Sequence, residues 1–377
     1  MSLLPLDGFV IGITADRRSE EQAELLSRRG ASVLHGPTMT TLYLASDDDL
    51  RKATETLLER PPDYLVVTTG IGIRAWLETV SAWGLGERLL TALADTLVIA
   101  RGPKSAAAAQ AGGLHVWARS ATERMDALVS VLLAESLSGK SVAVQEYGMP
   151  NPDLRVALTD AGASVVEVPV YRWRLPDDPG PARRLIEAAL EGRVDAITFT
   201  SAPAVHNLFA IADDAGLAED LRRACNDGVV AACVGPVCAG GAREEGIAAP
   251  LVPAVGRLGL LVRVLSEHFE DRRRAYRIGG ADLVVQGAAI EVDGERADLT
   301  PKERSVFESL VQARGSVVSR DSLLLDLWGS ADADPHVLDA TIGRLRRRLG
   351  PCGAAIETTP GRGYRLAAGV DTGASGP

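Results

Sequence analysis

Two groups of residues in this chain have the types and spacing to do chemistry. The first lies near the C-terminal end, where Pro335 to Leu349 reads PHVLDATIGRLRRRL. At about 100° per residue, Leu338, Ile342, Leu345 and Leu349 fall on one side of a helix and must face inward. His336, Ala340, Gly343, Arg344 and Arg347 gather on the opposite side, with Arg348 beside them. Small residues next to guanidinium groups let a helix approach the floor of a DNA major groove while the cations reach base edges and phosphates. Arg362, within TTPGRGYRL, stands at the tip of a predicted hairpin, where a cation suits the DNA backbone or the minor groove. The second group lies at the carboxyl ends of apolar strands: Thr14, Thr68, Thr69, Gly102, Lys104, Ser105, Thr200, Ser201 and Gly235. Hydroxyl and glycine residues there either cap the helix that follows or leave its N–H groups to hold an anion.

The elements that must position the second group come from an internal duplication. VIGITADRRSEEQAELLSRRGASVLHGP is echoed by SVAVQEYGMPNPDLRVALTDAGASVVEVP, each reading strand, helix, strand. DYLVVTTGIGIRAWLETVSAWGL is echoed by DAITFTSAPAVHNLFAIADDAGL, and TLVIARGPKSAAAAQAGGL by VVAACVGPVCAGGAREEGI, in the same order. Ala31 and Ala163, Asp63 and Asp195, and Thr68 and Thr200 recur at one constant interval. Near-continuous Val, Ile, Leu and Ala strands alternating with amphipathic helices predict parallel sheets covered on both faces, which bind ligands beyond their carboxyl ends.

The first group needs a different frame. ADLVVQGAAIEVDGERADLT predicts short strands before Thr300-Pro301-Lys302-Glu303, with Thr as N-cap, Pro at the first helical position and Glu at the third. A second helix, SRDSLLLDLWG, is capped by Ser319, and the third carries the arginines, so three helices form a helix-turn-helix core. GRLGLLVRVLSEHFEDRRR precedes this region as an amphipathic helix with a basic end, and Gly279-Gly280 predicts a short link.

Composition sets limits. The 377 residues suggest two or three folding units. Hydrophobic content of 46% with 4% aromatic fits a globular α/β protein rather than a disordered one. No apolar run reaches a membrane span and the N-terminus lacks a signal-peptide pattern, so a cytoplasmic location is expected. Cys225, Cys233, Cys238 and Cys352 lack zinc spacing, and no metal site is expected. A net charge of −10 argues against indiscriminate nucleic-acid coating, while leaving room for a local basic surface.

Over about residues 8 to 270, the duplicated pattern of a TS or TT cap after one strand and a GP start after the next resembles uroporphyrinogen-III synthase. The resemblance implies two flavodoxin-like parallel-sheet lobes, with the chain starting in one, building the other and returning. The crossings would lie near His35 to Met39 and Val170 to Trp173. It also implies ring closure of hydroxymethylbilane without metal or cofactor, and a ligand cleft drawn from the strand-end residues above. Tyr171, in VPVYRW, matches the family's cleft tyrosine, which helps the substrate hydroxyl to leave; it equally fits a residue covering the hinge. The sequence departs from the family pattern in several places. The arginine expected near the first strand end is displaced in Thr14-Ala15-Asp16-Arg17, and Tyr147-Gly148-Met149-Pro150-Asn151-Pro152 replaces a glycine-rich turn. Val237 stands where a threonine is expected. Each change removes a donor or a close backbone approach, with Arg74, Arg101 and Lys104 as cations able to compensate.

The last 90 or so residues, with LTPKE, VVSRDSLLLDLWG, VLDATIGRLRRRLG and TTPGRGYRL, resemble the OmpR-class winged-helix output domain of bacterial response regulators. That resemblance puts Arg344 and its neighbours in the major groove and Arg362 in the wing. Response regulators carry a phospho-accepting aspartate at a central strand end; Thr68-Thr69 and Thr200-Ser201 stand at the corresponding ends here, so phosphotransfer is not the expected input. The expected organisation is one synthase-like lobe from 1–37 and 172–274, a second from 38–171, a linker at 275–281, a winged helix at 282–368 and a flexible tail at 369–377. The expected partners are double-stranded DNA, a small anionic or tetrapyrrole ligand, and a second regulator or second copy of the chain. The layout also resembles actinobacterial regulators of nitrate and nitrite assimilation. Two functions follow: a ligand-gated transcription regulator, or a working synthase that also binds DNA.

Overall fold

The computed structural model describes residues 3–44, 48–120, 122, 125–148, 151–278, 280–330, 334–367 and 371–373. The chain divides into two compact units, one made of Met1–Met39 with Pro176–Pro377, the other of Thr40–Leu175.

The inserted unit, Thr40–Leu175, is built on five parallel strands in the order Val116–Arg119, Leu97–Ala100, Tyr64–Val67, Ser141–Gln145, Ser164–Val168. The central strand YLVV is buried along its length. Its alternate residues enter different cores: Leu65 and Val67 pack with Leu50 and Trp76, Tyr64 and Val66 with Leu128 and Leu154. That is what a continuous apolar strand requires when both faces of its sheet are covered. Thr40–Tyr43 pairs antiparallel with Tyr171–Arg174, and this ladder holds both crossing segments to the inserted unit. Its limits therefore fall at 40 and 175, a few residues beyond the expected 38 and 171.

The other unit contains a four-stranded parallel sheet in the order Val230–Cys233, Ala196–Phe199, Val10–Ile13, Ser32–His35. Phe9, Ile11 and Ile13 share a core with Leu261, Leu265 and Phe269 of the helix Leu258–Glu270, the amphipathic segment seen in the sequence. The four cysteines are free thiols and buried.

The same unit carries the C-terminal domain, whose five-stranded antiparallel sheet runs Glu295–Asp298, Ala289–Val292, Ala281–Gln286, Arg274–Ile278, Asp371–Gly373. Residues 275–281 are therefore not a linker. Ile278 pairs with Ala281, and Gly280 before Ala281 has φ +90°, a conformation that favours glycine; Gly279 lies outside the described residues. Residues 371–373 likewise leave the expected tail and pair with Arg274–Ile278. Helices Pro301–Gln312, Arg320–Trp328 and Pro335–Arg348 follow the sheet, and the strands Ile356–Thr359 and Gly363–Leu366 form the wing. Thr300 and Glu303 make the predicted capping box, and Ser319 caps the second helix.

Two glycines interlock the C-terminal domain with the parallel-sheet lobe. Gly8 has φ +78°, and a Cβ there would lie 2.2 Å from the Ala289 nitrogen; Gly287 has φ +58°, and a Cβ there would lie 2.6 Å from the Gly8 oxygen. The Ala288 amide donates to the Gly8 carbonyl at 2.8 Å, and the Gln286 side-chain amide donates to the carbonyls of Leu4 and Asp7.

Candidate nucleic-acid interface and strand-end sites

The helix Pro335–Arg348 starts on Asp334, whose side chain accepts from the His336 amide at 2.9 Å. Leu338, Ile342, Leu345 and Leu349 are at most 1% exposed. His336, Ala340, Arg344, Arg347 and Arg348 are exposed and Gly343 is half-buried. Nothing stands within 4 Å of where a Gly343 Cβ would be, so this glycine leaves an open dip in the outer face. The structure brings the predicted surface together on one helix.

Its arginines divide by partner. Arg344 Nε donates to Glu303 Oε1 at 3.2 Å and Arg344 Nη2 to Thr341 Oγ1 at 3.0 Å. Arg348 Nε lies 3.1 Å from Glu303 Oε2. Glu303 is fully buried and its Oε2 also accepts from the Thr300 amide. A buried carboxylate is tolerable only when paired and hydrogen-bonded, and two guanidinium groups one helical turn apart meet that demand. Arg346 turns elsewhere: its Nε and Nη2 donate to the Ile356 carbonyl, tying the wing to the helix. Arg347 and Arg348 border a groove of about 470 Å³ with Asp293, Glu295 and Arg296.

A second tie holds the wing. The Tyr364 hydroxyl donates to Asp339 Oδ1, Arg320 Nη2 donates to that hydroxyl at 2.9 Å, and the Arg320 guanidinium lies 2.8 Å from Asp339. Burial and the Asp339 carboxylate push the Tyr364 hydroxyl up to about 12, while the Tyr364 hydroxyl and Arg320 hold Asp339 below the usual carboxylate range. Arg362 is exposed at the tip, after Gly361 with φ +68°.

In the unit with the four-stranded sheet, Thr14 is fully buried and its hydroxyl donates to the Thr198 carbonyl. Ser201 caps the helix Ala202–Asp213 by accepting from the Ala204 amide, with Thr200 half-buried before it. Gly235 precedes Pro236 at the start of Pro236–Glu244 in extended backbone.

In the inserted unit, Thr68 is 1% exposed and donates to the Gln145 carbonyl. Thr69 caps the helix Gly70–Ala82, and its hydroxyl lies 3.2 Å from that of Tyr171. Gly102 and Ser105 satisfy each other at the start of Pro103–Ala111, and Lys104 is exposed beside them. The hydroxyls of Thr14, Thr68 and Ser105 thus bond within their own units. Such hydroxyls satisfy a carbonyl or a cap that would otherwise be orphaned.

Tyr171 is 2% exposed, among Tyr43 and Trp173. Gln145 Oε1 accepts from the Thr69 amide, so a protein side chain covers part of that helix start. Beside it Glu146 is 6% exposed with one carboxylate oxygen lacking a hydrogen bond; burial raises its pKa, against the pull of Arg172 at 3.7 Å. Met149 and Pro150 of the replaced turn lie outside the described residues.

Sequence reasoning placed Glu303 as a capping residue and missed that it clasps two arginines. The arginine spacing of four is the only signal that could have suggested a shared partner. It also missed Arg304, whose Nη1 lies 3.0 Å from Asp195 Oδ1 in the lobe. Among the described residues no cluster of three or more His, Cys, Asp and Glu side chains could hold a metal, and no helix is long and apolar enough to cross a membrane.

Comparison with known proteins agrees with this architecture. Residues 20–262 match the family described as uroporphyrinogen-III synthase HemD, and residues 294–366 match the family of the C-terminal domain of transcriptional regulatory proteins. The uncharacterised protein YjjA of Bacillus subtilis is 30% identical over 268 residues, which is 70% of this chain and 97% of that protein. A crystal structure of a mutant uroporphyrinogen III synthase from Thermus thermophilus is 32% identical with a TM-score of 0.56, covering 69% of this chain and 99% of that one. The transcriptional regulatory protein CutR of Streptomyces coelicolor is 41% identical over 75 residues, 20% of this chain and 34% of that protein. A response-regulator type of DNA-binding domain supports binding to double-stranded DNA, and its fusion to a synthase-like module supports a transcription regulator. The chain belongs to the uroporphyrinogen-III synthase family, extended at its C-terminal end by an OmpR-type winged-helix DNA-binding domain.

Proposed function

We propose that this protein is a ligand-responsive transcription regulator whose helix Pro335–Arg348 reads the major groove and whose synthase-derived module receives the signal. The observation that carries the reading is the single exposed face of that helix, with His336, Ala340, Gly343, Arg344, Arg347 and Arg348 together and Arg362 at the wing tip. The ligand we infer is small and anionic or a tetrapyrrole. One winged helix covers one half-site, so a second copy or a second regulator occupies the other. Control of nitrate and nitrite assimilation is the physiological role we propose, on the resemblance in layout to actinobacterial regulators of those pathways.

The test begins with the operator. Arg344→Ala in the full chain should cost about 1–3 kcal/mol in affinity for a selected operator if Arg344 reads a base. Unchanged affinity in fluorescence anisotropy would remove this residue from the interface.

A second reading, retained synthase activity, is favoured by one observation, the Tyr171 hydroxyl 3.2 Å from the Thr69 hydroxyl at a helix start. Purified protein given hydroxymethylbilane would then yield uroporphyrinogen III beyond the spontaneous isomer I, and Tyr171→Phe would abolish the excess. Isomer I alone assigns the module to sensing or docking.

A further inference from the structure

Two neighbouring residues on the first turn of the helix Pro301–Gln312 face different partners. Glu303, buried, holds Arg344 and Arg348 of the DNA-reading helix. Arg304 reaches Asp195 Oδ1 at 3.0 Å and Glu308 Oε1 at 2.9 Å. Asp195 is itself fixed, because its Oδ2 accepts from the Val10 amide at 2.8 Å. It immediately precedes the strand Ala196–Phe199, and the opposite end of that strand leads into Thr200 and Ser201. The strand therefore connects a strand-end loop of the lobe to the base of the DNA-reading domain. Its ladder partners Val10–Ile13 and Val230–Cys233 keep it from moving alone.

We propose that Glu303 and Arg304 are positioning residues that couple the synthase-like lobe to DNA discrimination. Arg304 anchors the helix start to Asp195, and Glu303 on the same turn sets where Arg344 and Arg348 stand when they meet DNA. A displacement of the Ala196–Phe199 strand then reaches the two arginines through one helical turn. The inference rests on the reading that Arg344 contacts DNA. The glycine interlock at Gly8 and Gly287 and the 2.8 Å pair between Arg296 and Asp7 give the lobe a second contact with the domain.

The coupling is tested on the full chain by the ratio of affinities for a selected operator and a shuffled duplex, measured by anisotropy. Glu303→Gln frees both arginines and should lower that ratio about tenfold, mainly by tightening shuffled-duplex binding through unshielded phosphate contacts. Asp195→Asn keeps the acceptor for Val10 but loses the charge, and Arg304→Gln loses the partner. Each should lower the ratio by about three- to tenfold, Arg304→Lys should restore it, and Asp195→Asn added to Glu303→Gln should change nothing more.

A ratio within about twofold of the parent in both Asp195→Asn and Arg304→Gln overturns the coupling, whether or not the melting temperature falls, since docking alone would move stability and not discrimination. Arg304 is partly exposed, so its variants keep the test open if Glu303→Gln does not fold. Arg344→Ala in the same assay separates the failures. Unchanged affinity there sinks the DNA-reading assignment, whereas lost affinity with unchanged Asp195→Asn and Arg304→Gln sinks only the coupling.

Discussion

Asp339 sits on the helix Pro335–Arg348 but serves the wing, accepting from the Tyr364 hydroxyl and pairing with Arg320. Because those contacts depress its pKa, they stabilise the fold at pH values above the unfolded carboxylate pKa, and the gain is lost as pH falls through the folded value. The side chain is 42% exposed, so solvent screens the pair and Asp339→Asn should cost only about 0.5–1 kcal/mol at neutral pH. In acid below the folded pKa the two proteins should unfold alike in urea. Equal losses at both pH values would show that shape rather than charge holds the wing. The sequence exposed part of this scale. Leu338, Ile342, Leu345 and Leu349 announced the buried side of the helix by period alone, whereas Glu303 showed only its local role. A capping box is written in four consecutive residues; the clasp on Arg344 and Arg348 depends on how two helices pack, which no local pattern encodes.

At the scale of elements, the wing is a hairpin made rigid from one side and open on the other. Arg346 ties the strand Ile356–Thr359 to the helix, and Tyr364 ties the returning strand. Arg362 at the tip is left exposed. The role expected of a cation so placed is phosphate or minor-groove contact, which carries little base information. Arg362→Ala should weaken operator and shuffled DNA together and reduce the slope of log affinity against log salt by about one. A loss confined to the operator would instead make Arg362 a base reader. The hairpin was legible because Gly361-Arg362-Gly363 stands between two short strand-like stretches around Ile356 and Tyr364. Gly279-Gly280 was misread as a link for a related reason. Glycine suits both a flexible joint and a chain reversal, and only the partner strand Ala281–Gln286, aligned from Ile278 to Arg274, decides between them.

At the scale of the whole molecule, the duplicated pattern made both parallel sheets legible, since repeated strand and cap positions leave little choice of topology. The seat of the C-terminal domain on the lobe was not legible, because it depends on residues far apart in sequence that carry no shared period. Leu4, Asp7 and Gly8 meet Gln286 to Ala289 through backbone and amide contacts, and Asp7 meets Arg296. Each side also has its own apolar core, one around Phe9 and Phe269, the other around Phe307 and Ile342. The two bodies could therefore fold with the seat broken. Gly287→Ala tests this, because its Cβ would sit 2.6 Å from the Gly8 oxygen and 2.7 Å from the Phe9 ring while φ stays at +58°. Strain of this kind costs about 1–3 kcal/mol before the clash is counted. The expected result is a lower melting temperature and faster hydrogen exchange at the Ala288 amide, with exchange in the Leu338–Leu349 core unchanged. If Ala288 exchanges as fast in the parent as in the variant, the seat is not held in solution, and any signal from the lobe must reach the helix Pro335–Arg348 by another route.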